Sequence, residues 1–108
     1  MANTYKSLGQ SNDGTTQDDL YTVPGSTSAI VFVTAVNGHA TAAQTIRISH
    51  APAGAADNAD HRAVYELSVP AGNTYVHPKP FYLATTDKIR VRASTTDVTF
   101  TADGIEVT

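Results

Sequence analysis

Lys88-Ile-Arg-Val-Arg-Ala93 and Thr45-Ile-Arg-Ile-Ser49 alternate apolar and polar side chains at every step, whereas Ala29-Ile-Val-Phe-Val-Thr-Ala-Val36 is apolar on both parities. Successive side chains of an extended backbone point to opposite faces, so a period of two marks a β-strand. In the first stretch Ile89, Val91 and Ala93 are expected to face a core, with Lys88, Arg90 and Arg92 outward. In the second, Ile46 and Ile48 share one face and Thr45, Arg47 and Ser49 the other, as in a strand with one wet side. The third puts Ile30, Phe32 and Val36 on one face and Val31, Val33 and Ala35 on the other, which predicts a central strand covered on both sides.

Outward from these stretches, Gly, Pro, Asn and Asp interrupt the alternation at short intervals. Leu20-Tyr-Thr-Val-Pro-Gly-Ser-Thr27 and Leu67-Ser-Val-Pro-Ala-Gly-Asn-Thr74 both run through Val-Pro into small residues. Proline ends a ladder and the following Gly or Asn tolerates a positive φ, so both are expected to be strand-to-strand corners. Asp103-Gly104 between two apolar-alternating pieces predicts a short terminal hairpin. No window sustains a 3.6-residue period, and Ala51 to Asp60, with Pro52 and Gly54 near its start, is expected to be a loop with room for one helical turn. About eight strands fit into residues 20–108. Two antiparallel sheets packed face to face would bury the alternating residues, so the expected fold is an all-β antiparallel sandwich of jelly-roll type.

Residues 1–19, MANTYKSLGQSNDGTTQDD, are mostly polar and hold few side chains able to bury area. They are expected to form an extended N-terminal arm outside the 20–108 domain. Fraying is the common fate of such a terminus. Tyr5 and Leu8 favour an arm ordered on another subunit, because a solubilising tail has no use for them.

The 108-residue chain is 41% hydrophobic and 16% charged, which fits one globular domain and excludes a multidomain enzyme. It has no cysteine, so neither a disulfide nor a thiolate zinc site can brace it. The longest apolar run, 29–33, is far short of the ~20 residues of a membrane helix. The start carries no signal-peptide core, and the expected product is soluble and made in the cytosol. A net charge of −3 argues against a general nucleic-acid binder, whose footprint is basic.

Chemistry-bearing patterns are sparse. His39, His50, His61 and His77 show no spacing that pairs imidazoles on one face, and Asp57-Asn-Ala-Asp-His61 lacks the glycine and distal glutamate of a calcium loop. No metal or other cofactor is expected. There is no Gly-x-Ser-x-Gly elbow and no glycine-rich phosphate cradle, so no enzyme is expected. Three features remain as candidate partner contacts. Lys88, Arg90 and Arg92 form an outward positive ladder that Arg47 can join, read either as a solvated strand face or as a docking surface for an acidic neighbour. Tyr75-Val-His-Pro-Lys-Pro-Phe-Tyr82 belongs at an edge or in a loop, since two prolines cannot sit in a central strand. Its rings either pack inward, or Tyr75 and Tyr82 form a contact patch or a sugar platform, the last weakened by the absence of Trp. Tyr5 and Leu8 on the arm complete the set.

Leu20 to Pro24, Thr45-Ile-Arg47 followed by Ala51-Pro-Ala-Gly54, Ala63-Val-Tyr65, Val69-Pro-Ala-Gly-Asn-Thr74, DKIRVRAST from Asp87 to Thr95 and the opening Ala2 to Gln10 resemble, in order, a family of small tailed-bacteriophage virion structural proteins. The resemblance implies a noncatalytic β-sandwich that coats or joins parts of a virus particle. A capsid decoration (cement) subunit, homotrimeric and bound to the major capsid protein or another virion subunit, is the expected function; a neck, tail or baseplate accessory is the alternative within that class. Its expected location is the virion, after assembly in the host cytoplasm, with no nucleic acid or membrane as partner. The chain departs from the family at His77-Pro-Lys-Pro80, where an uninterrupted apolar strand would be expected. From another class, a carbohydrate-binding host-recognition module would use Tyr75, Phe81 or Tyr82.

Overall fold

The computed structural model describes residues 3–12, 14–56 and 59–108, with side chains at 7–12, 14–56 and 60–108. Among them, β1 (Asn3–Ser11), β9 (Val98–Val107) and β3 (Ser28–Asn37) lie side by side, and β6 (Thr74–Val76) and β7 (Phe81–Leu83) follow one another along the free edge of β3. The second sheet runs β2 (Asp18–Thr22), β8 (Lys88–Ala93), β4 (Gln44–Ala51) and β5 (Arg62–Val69). All pairings are antiparallel. Apart from β4–β5 and β6–β7, each strand passes to the opposite sheet, which is the jelly-roll path. β6 and β7 are one strand position split by Pro78 and Pro80, so nine strands fill eight places.

The core lies between the sheets. Val31 and Val33 of β3, Ile46 and Ile48 of β4, Ile89 and Val91 of β8, and Val98 and Phe100 of β9 are each at most 2% exposed. Each such side chain contributes roughly 1.5–3 kcal/mol by leaving water. The apolar alternation in β4 and β8 therefore points inward as expected. Ser49, expected on the wet face with Thr45 and Arg47, is instead buried, because the register of β4 against β5 shifts between Ile48 and Ser49. Asn37 is also fully buried. Its amide donates to the carbonyls of Val69 (2.9 Å) and Ala42 (3.1 Å), and its Oδ1 accepts the His39 N–H (2.9 Å). Those bonds tie the β3–β4 connection to the β5–β6 turn.

Several expectations change. Residues 3–11 of the expected arm form an edge strand of the chain's own sheet, in register with β9 from Asn3↔Val107 to Ser11↔Phe100. The physical reason is that an edge strand is held by backbone hydrogen bonds, which a polar sequence makes as well as an apolar one. Asp103-Gly104 is no hairpin: β9 runs straight through, and Gly104 stands where a Cβ would lie 2.0 Å from the Ile30 carbonyl oxygen. That glycine permits close approach of a neighbouring backbone rather than a turn. β3 is central, but its outer face is open, with Phe32 49% and Val36 41% exposed. At the first Val-Pro corner Ser26, not Gly25, takes the positive φ of 58°, whereas Gly72 takes it at the second. The 51–60 segment holds two short 3-10 turns, at Pro52–Gly54 and Ala59–His61.

Candidate functional site

Among the described residues the five-stranded sheet holds four of the six large exposed apolar side chains, Phe32, Val36, Val76 and Tyr82, while Tyr65 and Leu67 lie on β5 of the other sheet. Register places Tyr82 opposite Ile30 and Val76 opposite Thr34, with Phe32 and Val36 on the same face of β3. On the other flank β9 adds Ile105 opposite Ile30 and only one charge, Asp103 opposite Phe32. Val76 is 64% and Tyr82 70% exposed. Contiguous apolar surface of this kind marks interaction sites on soluble domains. The two apolar parities of residues 29–36 were the available signal, but periodicity says which side chains share a face and not what covers it.

The opposite outer face is charged. Lys88, Arg90 and Arg92 project outward together, as the alternation predicts, yet they are not equivalent. Asp19 on β2 accepts from Lys88 Nζ at 2.8 Å and from Arg90 Nε at 3.0 Å. Arg90 also donates to the carbonyls of Ala55 (2.5 Å) and Gly54 (3.2 Å), holding the loop after β4 against the sheet. The Lys88 hydrogen bond, working against partial burial and helped by Arg90, keeps the Asp19 carboxyl below its usual value. Two members of the ladder thus share one carboxylate within the chain. Arg92 has no hydrogen bond or ion pair with a described residue, and it sits directly opposite Arg47.

Around the split strand, Tyr75 turns inward against the core while Tyr82 turns out into solvent. The Tyr75 hydroxyl lies 2.9 Å from His77 Nδ1, His77 stacks on Phe81 with centroids 4.8 Å apart, and His50 meets Phe81 edge-on at 6.5 Å. Burial lowers the His77 pKa and raises that of Tyr75, which favours the neutral form of both groups. His50 Nε2 is 2.9 Å from Asp87, whose carboxylate also accepts the N–H groups of Ala53 and Ala84. Desolvation pushes Asp87 up, and these bonds outweigh it and hold it below the usual carboxylate value. At the end of the sandwich the Tyr21 hydroxyl donates to Glu106, joining the two sheets; burial and that carboxylate raise the phenol pKa.

Of the arm residues, Leu8 is half-buried and packs against the chain's own core. The side chain of Tyr5 lies outside the described residues; its backbone pairs with Ile105. Asp57 and Asn58 of the acidic loop also lie outside them. Among the described residues no group of three or more His, Asp or Glu side chains converges as metal ligands. Comparison of the chain with known protein families, curated proteins and solved structures found no match.

Proposed function

We propose that this protein is a noncatalytic structural subunit of a virus particle, a capsid decoration protein that docks through the outer face of its five-stranded sheet. The observation that carries this reading is the apolar surface formed by Ile30, Phe32, Val36, Val76 and Tyr82, of which the last four are more than two-fifths exposed. Leaving such a surface in water is unfavourable, and burying it against a shell or a neighbouring subunit removes that cost. The resemblance of the sequence to small tailed-phage virion proteins supplies the kind of assembly. The jelly roll is used by capsid proteins and by lectins alike, so fold by itself does not choose.

Quantitative mass spectrometry of purified particles tests the proposal. A copy number on the scale of the shell lattice supports a decoration subunit. A single ring's worth of copies moves the protein to the neck or tail, and absence from the particle overturns the virion reading. A glycan array separates the remaining class. No retention is expected; binding to a defined oligosaccharide that is lost in Tyr82→Ala would reassign the exposed ring to receptor recognition.

A further inference from the structure

We infer that the recess on the outer face of the four-stranded sheet, between Arg92 and Arg47, is a binding site for a single carboxylate. The recess encloses about 240 Å³ and is lined by Thr15, Thr45, Arg47, Glu66, Arg92 and Ser94. It lies on the opposite side of the sandwich from the proposed docking face and does not depend on that reading.

The first argument is electrostatic. Arg47 and Arg92 are direct cross-strand partners on β4 and β8, and like charges placed so are unfavourable. Lys88 and Arg90 on the same face are answered by Asp19, but Arg92 is answered by no described residue. An anion seated between the two guanidiniums would relieve the repulsion. Glu66 already answers Arg47, so Arg92 brings one positive charge that no described residue balances. One negative charge fits a carboxylate better than a doubly charged phosphate. A guanidinium is a planar fork that matches the two oxygens of a carboxylate.

The second argument is backbone geometry. Ile46 pairs with Leu67 and Ile48 with Val64, so Tyr65 and Glu66 together oppose the single residue Arg47. Glu66 adopts a φ of +54° at this bulge. Bulges re-aim side chains, and a non-glycine residue in the left-handed region is a strained arrangement that concentrates at functional sites. Here both bulged residues act on Arg47: Glu66 accepts its Nε–H, and the Tyr65 ring lies 4.7 Å from its guanidinium carbon. Arg47 is thereby oriented before any ligand arrives. The wall beside Arg92 is also fixed, since Ser94 Oγ donates to Gln44 (2.6 Å) and accepts the Thr45 N–H (3.0 Å).

Size narrows the ligand. The recess, about 240 Å³ and open to solvent, has room for a carboxylate on a short aliphatic stem. A free small acid and an aspartate or glutamate side chain of a partner protein share that chemistry.

Titration of the ¹⁵N-labelled full chain with sodium propionate, against sodium chloride at matched ionic strength, tests the site. Saturable shifts are expected at the amides of Thr45, Arg92 and Ser94, and at the Arg92 side-chain Nε–H. Arg92→Gln is expected to weaken binding at least tenfold. It should also raise the melting temperature slightly without ligand, because it removes the like-charge pair. Lys88→Gln should bind as the parent does. A capped peptide with one glutamate that binds tenfold tighter than propionate assigns the site to a partner chain, and equal affinity assigns it to a free acid. Shifts that follow chloride equally, or that persist in Arg92→Gln, overturn the site; phosphate binding tighter than propionate overturns the single-charge assignment.

Discussion

Gly104 and Asn37 act in opposite ways on the same core. Gly104 matters for what it lacks, because a Cβ there would press on the Ile30 carbonyl and the Val31 backbone, neither of which can turn aside. Gly104→Ala is expected to cost about 3 kcal/mol by overpacking, read as a fall in Tm of roughly 10 °C or more. Asn37 matters for what it supplies: three bonds to backbone groups that would otherwise stay unpaired. Asn37→Ala should cost on the order of 3 kcal/mol, since each buried orphan carries its own desolvation penalty. Chemical denaturation of both variants checks the two values. His77 sets a pH dependence whose sign follows from burial. Its folded pKa lies below the ordinary 6.5, so the neutral ring is the stable one. Its contribution is complete above pH 6.5 and is lost as pH falls through the lowered value, because the unfolded chain then binds more protons. Asp19 and Asp87, both below the ordinary 3.8, add stability that is present above that value and lost only in stronger acid. Melting curves between pH 7.5 and 5.5 should therefore fall in the parent and flatten in His77→Gln.

At the scale of elements, β1 shows most clearly what a period-two pattern can and cannot convey. β4 and β8 were legible because Ile46, Ile48, Ile89 and Val91 all enter one core while Thr45, Arg47, Lys88, Arg90 and Arg92 meet water. The proline break between β6 and β7 was legible for a different reason, the missing N–H and fixed φ of Pro78 and Pro80. β1 carries almost no apolar alternation, and its pairing with β9 depends on main-chain bonds that any sequence can make. Gly104 was misread because a strand glycine and a turn glycine look alike until the third strand is in place. Among site residues, the outward ladder was legible, but the pairing of Lys88 and Arg90 with Asp19 was not, since it joins residues about seventy positions apart. Leu8 and Gly9 bind β1 to the rest of the fold: Leu8 rests on the core, and a Cβ at Gly9 would lie 2.1 Å from the Leu20 carbonyl oxygen. Deleting residues 2–11 should thus do more than remove a tail. It is expected to lower Tm and, by baring the long edge of β9, to promote self-association. Calorimetry and sedimentation velocity on the truncated chain check both; an unchanged melt would make β1 dispensable.

The whole molecule is two-sided. One sheet turns an apolar face outward with Asp103 as its single charge beside β3, and the other turns out a set of charges largely answered within the chain. The first face suits broad, dry contact, the second suits solvent and a single small anion. Attachment should therefore depend on the apolar face and respond weakly to salt, because Lys88 and Arg90 are already paired. The most direct measurement is rebinding of the purified protein to particles stripped of it, comparing the parent, Phe32→Ser with Val76→Ser, and Lys88→Gln. Phe32 and Val76 are about half or more exposed, so the double variant should melt with the parent. Two truncated anchors at roughly 1–3 kcal/mol each should still weaken attachment about a hundredfold or more, while Lys88→Gln binds as the parent does. Undiminished attachment of the double variant with an intact melt would contradict the assignment of this face to assembly.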